Sequence, residues 1–81
     1  MTLNEAIQTF EDLGLIEEYS IIRVNVKSNN TNVPCFLFEC KMPVSEAKYF
    51  FGNLVFITSW LITSGEDNGY AELVLSVAKE G

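Results

Sequence analysis

The sequence contains no histidine. That single absence removes the usual general base, the commonest metal ligand and any Ser-His or Cys-His pair for nucleophilic catalysis. Cysteine occurs only at Cys35 and Cys40, with no C-x-x-C spacing for a zinc site. Five residues apart on one strand, those two would point to opposite faces roughly 16 Å apart, whereas a disulfide needs Cα atoms within about 7 Å. Unbridged thiols fit a reducing compartment.

Basic residues are equally sparse. Only Arg23, Lys27, Lys41, Lys48 and Lys79 face eleven carboxylates, giving a net charge of −6. Such a field repels phosphate backbones and anionic lipid, so direct nucleic-acid binding is disfavoured and a basic protein partner is favoured. Long apolar runs are missing too. The richest stretch, Phe50 to Ile62, is broken by Gly52, Asn53, Thr58 and Ser59, too short and polar to span a bilayer. Neither a basic segment nor an apolar run opens the chain at Met1-Thr2-Leu3-Asn4-Glu5, so no signal peptide and a cytoplasmic location are expected.

Gly-rich phosphate loops are absent, since Gly65 and Gly69 flank Glu66-Asp67-Asn68 without a lysine. The same segment lacks the spaced carboxylates and terminal glutamate of a calcium loop. Paired carboxylates at Glu11-Asp12, Glu17-Glu18 and Glu66-Asp67 are chain neighbours, not groups facing each other across a pocket, so they do not form an acid/base pair. No cofactor, metal or catalytic residue is expected, and the protein is read as a non-enzyme. The Asn29-Asn30-Thr31 sequon has no significance without secretion.

What is present is the composition of a folding chain: 81 residues, 48% hydrophobic and 20% charged. That suffices for a single small domain over 1–81 that buries roughly 60% of its unfolded surface. Thr2 and Glu5 have capping-box spacing. Leu3, Ala6, Ile7, Phe10 and Leu13 recur at helical intervals, and Gly14 with Leu15 supplies a left-handed stop. These predict a helix over about 3–13.

The period then changes to two. Ile22, Val24 and Val26 alternate with Ile21, Arg23, Asn25 and Lys27, predicting a strand over about 19–27. An Asn-rich turn (28–32) leads to a second strand over about 33–41, with its Pro34 end at an edge or outside the pairing. After Pro43, Ser45 is the expected cap of a short helix over about 46–51, with Ala47, Phe50 and Phe51 inward. Strands over about 54–63 and 70–78, joined by a turn at 64–69, complete a second hairpin. The expected fold is α+β: a four-stranded, mostly antiparallel sheet made of two hairpins, with both helices on one face.

Two helices cannot cover both sides of such a sheet. Ile21, Cys35, Leu37, Val74 and part of 54–62 should lie on the far face, an apolar area suited to a partner or a sheet-to-sheet homodimer. Trp60 and Tyr70 are residue types favoured at interface centres, and Trp60 is equally suited to be the one large filler of a small core. Carboxylates at Glu17, Glu18, Glu66, Asp67 and Glu72 are the expected acidic contacts.

Together these features lead to an expected role as a non-catalytic acidic protein-binding module. The form is that of small inhibitors of nucleic-acid-processing proteins, of the anti-restriction or anti-CRISPR type carried by phage. The alternatives are an oligomeric assembly subunit and a toxin-neutralising immunity protein.

Overall fold

The computed structural model describes residues 1–28, 35–63 and 71–79, with side chains at Thr63 and Ala71 excepted. The order is helix α1 (Leu3–Asp12), strands β1 (Ile21–Ser28) and β2 (Cys35–Pro43), helix α2 (Val44–Phe51), and strands β3 (Val55–Thr63) and β4 (Ala71–Lys79). The expected α+β architecture is present, with strand order β2-β1-β4-β3. Each hairpin is antiparallel, and the two meet through a parallel β1–β4 pair at the centre. The Asn-rich turn, Pro34 and the turn at 64–69 lie outside the described residues.

Helix α1 starts as its sequence requires. The Glu5 N–H donates to Thr2 Oγ1 at 3.3 Å, and the Thr2 N–H donates to Glu5 Oε1 at 2.9 Å, closing the capping box. The Thr2 N–H, helped by the Thr2 hydroxyl, holds the Glu5 carboxyl below its ordinary range. The next N–H groups, of Leu3 and Asn4, donate to the Leu54 and Gly52 carbonyls at 2.9 and 3.0 Å. The helix is thereby tied to the start of β3.

At its other end Gly14 takes φ 75°. The Gly14 and Leu15 N–H groups donate to Glu11 and Phe10 carbonyls, the paired bonds of a Schellman stop. The apolar stripe ends earlier than its spacing predicts. Leu3, Ala6 and Ile7 are buried and Phe10 half-buried, but Leu13 is the exposed C-cap, since the left-handed turn lifts it off the sheet.

Helix α2 starts two residues earlier than expected, and Pro43, not Ser45, is its N-cap. No side chain caps it. The Val44 and Ser45 N–H groups instead donate to the Ser20 and Glu18 carbonyls at 2.8 and 3.1 Å. The preceding loop therefore substitutes for a capping residue. This loop also delays β1, because 17–20 form a turn in which Ser20 Oγ accepts from the Glu17 N–H. Val44 and Ala47 are buried and Phe51 packs on the core. Phe50 does not turn inward; it is exposed, edge-on to Tyr49 at 5.0 Å.

Between helices and sheet lies the core: Leu3, Ile7, Ile16, Ile22, Val24, Val26, Val44, Ala47, Leu75 and Val77. Full burial of each large member contributes roughly 1.5–3 kcal/mol. Alternation assigns Ile22, Val24 and Val26 to this side, as their period predicts. Bulges between Val26 and Lys27 and between Phe56 and Thr58 interrupt the two outer pairings.

Candidate interaction surfaces

The sheet face turned away from the helices is not a plain apolar surface. Register places Arg23 beside Lys41 on one side and Val74 on the other, and Asn25 beside Glu39 and Ser76. These side chains form a connected network. Arg23 Nη1 donates to Glu39 Oε1 at 2.9 Å, and Arg23 Nε donates to Glu72 Oε1 at 2.7 Å. Lys41 Nζ lies 3.6 Å from Glu72 Oε2. Asn25 Nδ2 donates to Glu39 Oε2 at 2.9 Å, and Ser76 Oγ donates to Asn25 Oδ1 at 3.4 Å.

Both carboxylates titrate below their ordinary range. For Glu39 the main cause is the Asn25 amide bond; for Glu72 it is Arg23. Arg23 is held still more firmly protonated by Glu72 and Glu39. Among the described residues no buried side-chain polar atom lacks a partner.

Around this polar centre the face is apolar. Ile21, Leu37, Val55 and Ile62 are exposed, and Trp60 is 38% exposed. Val74, between Arg23 and Trp60, is fully buried without a covering layer. Long flanking side chains can shield such a residue while keeping their polar ends in water.

The helical side has the opposite electrostatic character. Residues 1–20 and 44–53 carry Glu5, Glu11, Asp12, Glu17, Glu18 and Glu46 against a single base, Lys48. That lysine already lies 3.6 Å from Glu11. The other four basic residues are all on strands. Among the described residues negative charge is thus concentrated on the helical side, which the linear sequence does not reveal.

At the sheet end where β1 and β4 begin and β3 finishes, the helical layer is incomplete. A cleft of about 720 Å3 opens between the α1–β1 loop and β3. Phe10, Leu15, Ile16, Leu61 and Leu73 line it, with Ser20 and Ser59 as polar side chains. Leu15 and Leu61 are 64% and 63% exposed. This cleft was not anticipated from the sequence. Its only local signal is Leu15, an apolar residue placed beyond the end of a helix.

The chain matches no family model, no curated protein and no solved structure. Its surfaces alone bear on its role.

Of the candidate residues, Glu17 and Glu18 are exposed in the α1–β1 loop. Glu72 is not an outward contact: it is 7% exposed and engaged with Arg23 and Lys41. Ile21 and Trp60 are accessible and both line the cleft, whereas Leu37 is accessible but not part of it. Glu66, Asp67 and Tyr70 lie outside the described residues. Cys35 is exposed and Cys40 half-buried on β2, and the two are not bonded to each other. Burial, with a smaller push from Glu39, raises the Cys40 thiol above its ordinary value. Among the described residues no cluster of His, Cys, Asp or Glu could hold a metal ion. No helix among them is long and apolar enough to cross a membrane.

Proposed function

We propose that this protein is a non-catalytic binding module that docks its acidic helical side onto a basic protein. Its target on this reading is a nucleic-acid-processing protein whose phosphate-binding surface it occupies, in a cytoplasm. The general analogy is with phage-borne anti-restriction and anti-CRISPR inhibitors. The observation that carries the proposal is the segregation of charge. Six carboxylates in the helical layer face one lysine, which Glu11 already partners. Such a one-sided field steers association with a basic surface and orients the encounter.

The test begins with a partner purified from the native host by capture on the tagged protein. Duplex DNA should then displace the protein competitively. The combined variant Asp12→Lys, Glu17→Lys, Glu18→Lys and Glu46→Lys should slow association at least about tenfold and flatten its salt dependence. If DNA does not compete, or if the variant binds with unchanged salt dependence, the proposal fails.

A second reading, an assembly subunit, draws on the exposed apolar residues Ile21, Leu37, Val55 and Ile62 around the open sheet face. Light scattering distinguishes it, because a stable dimer that Ile62→Lys dissociates would support assembly through that face. A toxin-neutralising immunity role would use the same acidic docking, with a basic toxin as the captured partner.

A further inference from the structure

The two helices leave one part of the inner sheet face uncovered. Leu61 and Leu73 are register partners on β3 and β4, on the side that carries the core. Leu73 is half-buried against the core, but Leu61 remains 63% exposed. The remaining apolar wall of this cleft comes from Phe10, Leu15 and Ile16 of the helical side and from Ile21, Ile22 and Trp60 of the strands.

The chemistry of the rim narrows the occupant. Ile16 is followed directly by Glu17 and Glu18, both exposed in the α1–β1 loop. Inside, Ser20 and Ser59 are the polar side chains, and among the described residues no charged group lines the walls. Sites for small ligands fix orientation with a few convergent polar groups inside the pocket. Here the orienting charges stand outside the apolar floor, which suits a longer occupant that is apolar on one side and cationic at its flanks. A second copy of this chain is a poor fit, since its own helical side would bring like charge against the rim.

We infer that this cleft receives an amphipathic, lysine- or arginine-flanked helix of a partner protein, lying beside α1 as a third helix of the layer. The inference rests on the acidic-docking reading above and supplies its site. It is helix-in-groove recognition: an apolar stripe at three- and four-residue spacing buries Leu15 and Leu61, while basic residues meet Glu17 and Glu18.

Three labelled peptides of identical leucine and lysine composition, about four helical turns long, test it. One carries a helical stripe, one alternates strictly, and one is scrambled. By fluorescence anisotropy the striped peptide should bind at least about tenfold tighter than either other, becoming helical by circular dichroism as it binds. Leu15→Ser with Leu61→Ser should weaken it about tenfold. Both side chains are largely exposed, and an unchanged urea midpoint would show the fold intact. Ile62→Ser, on the opposite sheet face, should leave binding unchanged.

Equal or tighter binding of the alternating peptide would mean strand addition at β3 and would overturn the inference. Equal binding of the scrambled peptide, or binding insensitive to the double leucine variant, would also overturn it. If Glu17→Lys with Glu18→Lys still weakens binding in those cases, acidic docking survives and only the cleft is wrong. If that variant too has no effect, both readings fall.

Discussion

Two glycines should respond to alanine in opposite order to their backbone angles. Gly14 sits at φ +75°, with nothing within 4 Å of an added Cβ. Alanine there must hold a left-handed conformation at about 1–2 kcal/mol, partly offset by about 0.4–1 kcal/mol from a stiffer unfolded chain. The expected loss is about 1 kcal/mol, and asparagine, which tolerates this region, should cost less. Gly52 has an ordinary φ of −60°. Its added Cβ, however, would overlap the Lys48 carbonyl oxygen and lie 2.5 Å from the Asn4 side-chain atoms. Relief requires moving the junction whose carbonyls accept from Leu3 and Asn4. Overpacking of this kind costs about 1–3 kcal/mol, and a weakened hydrogen bond adds about 1 kcal/mol. Gly52→Ala should therefore lose about 2–4 kcal/mol, or roughly 10–25 °C in Tm for a domain of this size. Urea unfolding of both variants decides the matter. Gly14→Ala costing more than Gly52→Ala, or Gly52→Ala matching the parent, would refute the reasoning.

Other perturbations follow from the core, the network and the thiols. Leu3→Ala removes a fully buried side chain that touches both helices' shared core, and should lower stability by about 2–5 kcal/mol in urea unfolding. Glu39 and Glu72 titrate below the ordinary value of 4.5 when folded. The unfolded chain therefore takes up their protons first; their contribution is complete above that value and is lost as pH falls through the lower folded values. Urea midpoints should hold from about pH 7 to about pH 5 and fall below, less steeply in Glu72→Gln. A midpoint that rises on acidification would contradict the network. A maleimide probe at neutral pH should label exposed Cys35 well before Cys40, whose thiol is half-buried and shifted upward. Mass spectrometry of early time points reads the order.

Local signals in the sequence translated well into structure. Thr2 with Glu5, and Gly14 with Leu15, set the ends of α1 through bonds spanning three to five residues. Alternation at Ile22, Val24 and Val26 set the inner face of β1. Failures arose where a partner lies far along the chain. Helix α2 begins at Val44 because Glu18 and Ser20 offer carbonyls, and nothing near Val44 announces that. Both hairpins were legible, but not that β1 and β4 would meet in parallel, since each has an apolar inner face suited to a central or an edge position. Glu72 reads locally as an outward carboxylate because Arg23, 49 residues away, is invisible to local pattern. The cleft is hidden for a related reason: Leu15 reads as the contact of a helix stop, and nothing local shows that the helices stop short of Leu61.

The placement of bases constrains how any partner can approach. Among the described residues, Arg23, Lys27 and Lys41 share the open sheet face with only Glu39 and Glu72, and these two carboxylates are already bonded within the network. A basic partner gains nothing there and is drawn to the helical side. Dimerisation through the open face is also opposed, because it would bury the Arg23 network, and desolvating ion pairs can cost more than their attraction returns. Ile21, Leu37 and Ile62 would have to outweigh that cost from the rim alone. If they did, both acidic helical sides would face outward. The dimer would then be bivalent, and a partner with two basic sites would bind it more tightly than the monomer by effective concentration, with no new contact. A monomerising Ile62→Lys variant that bound such a partner as tightly as the parent would exclude that arrangement while leaving the acidic docking surface intact.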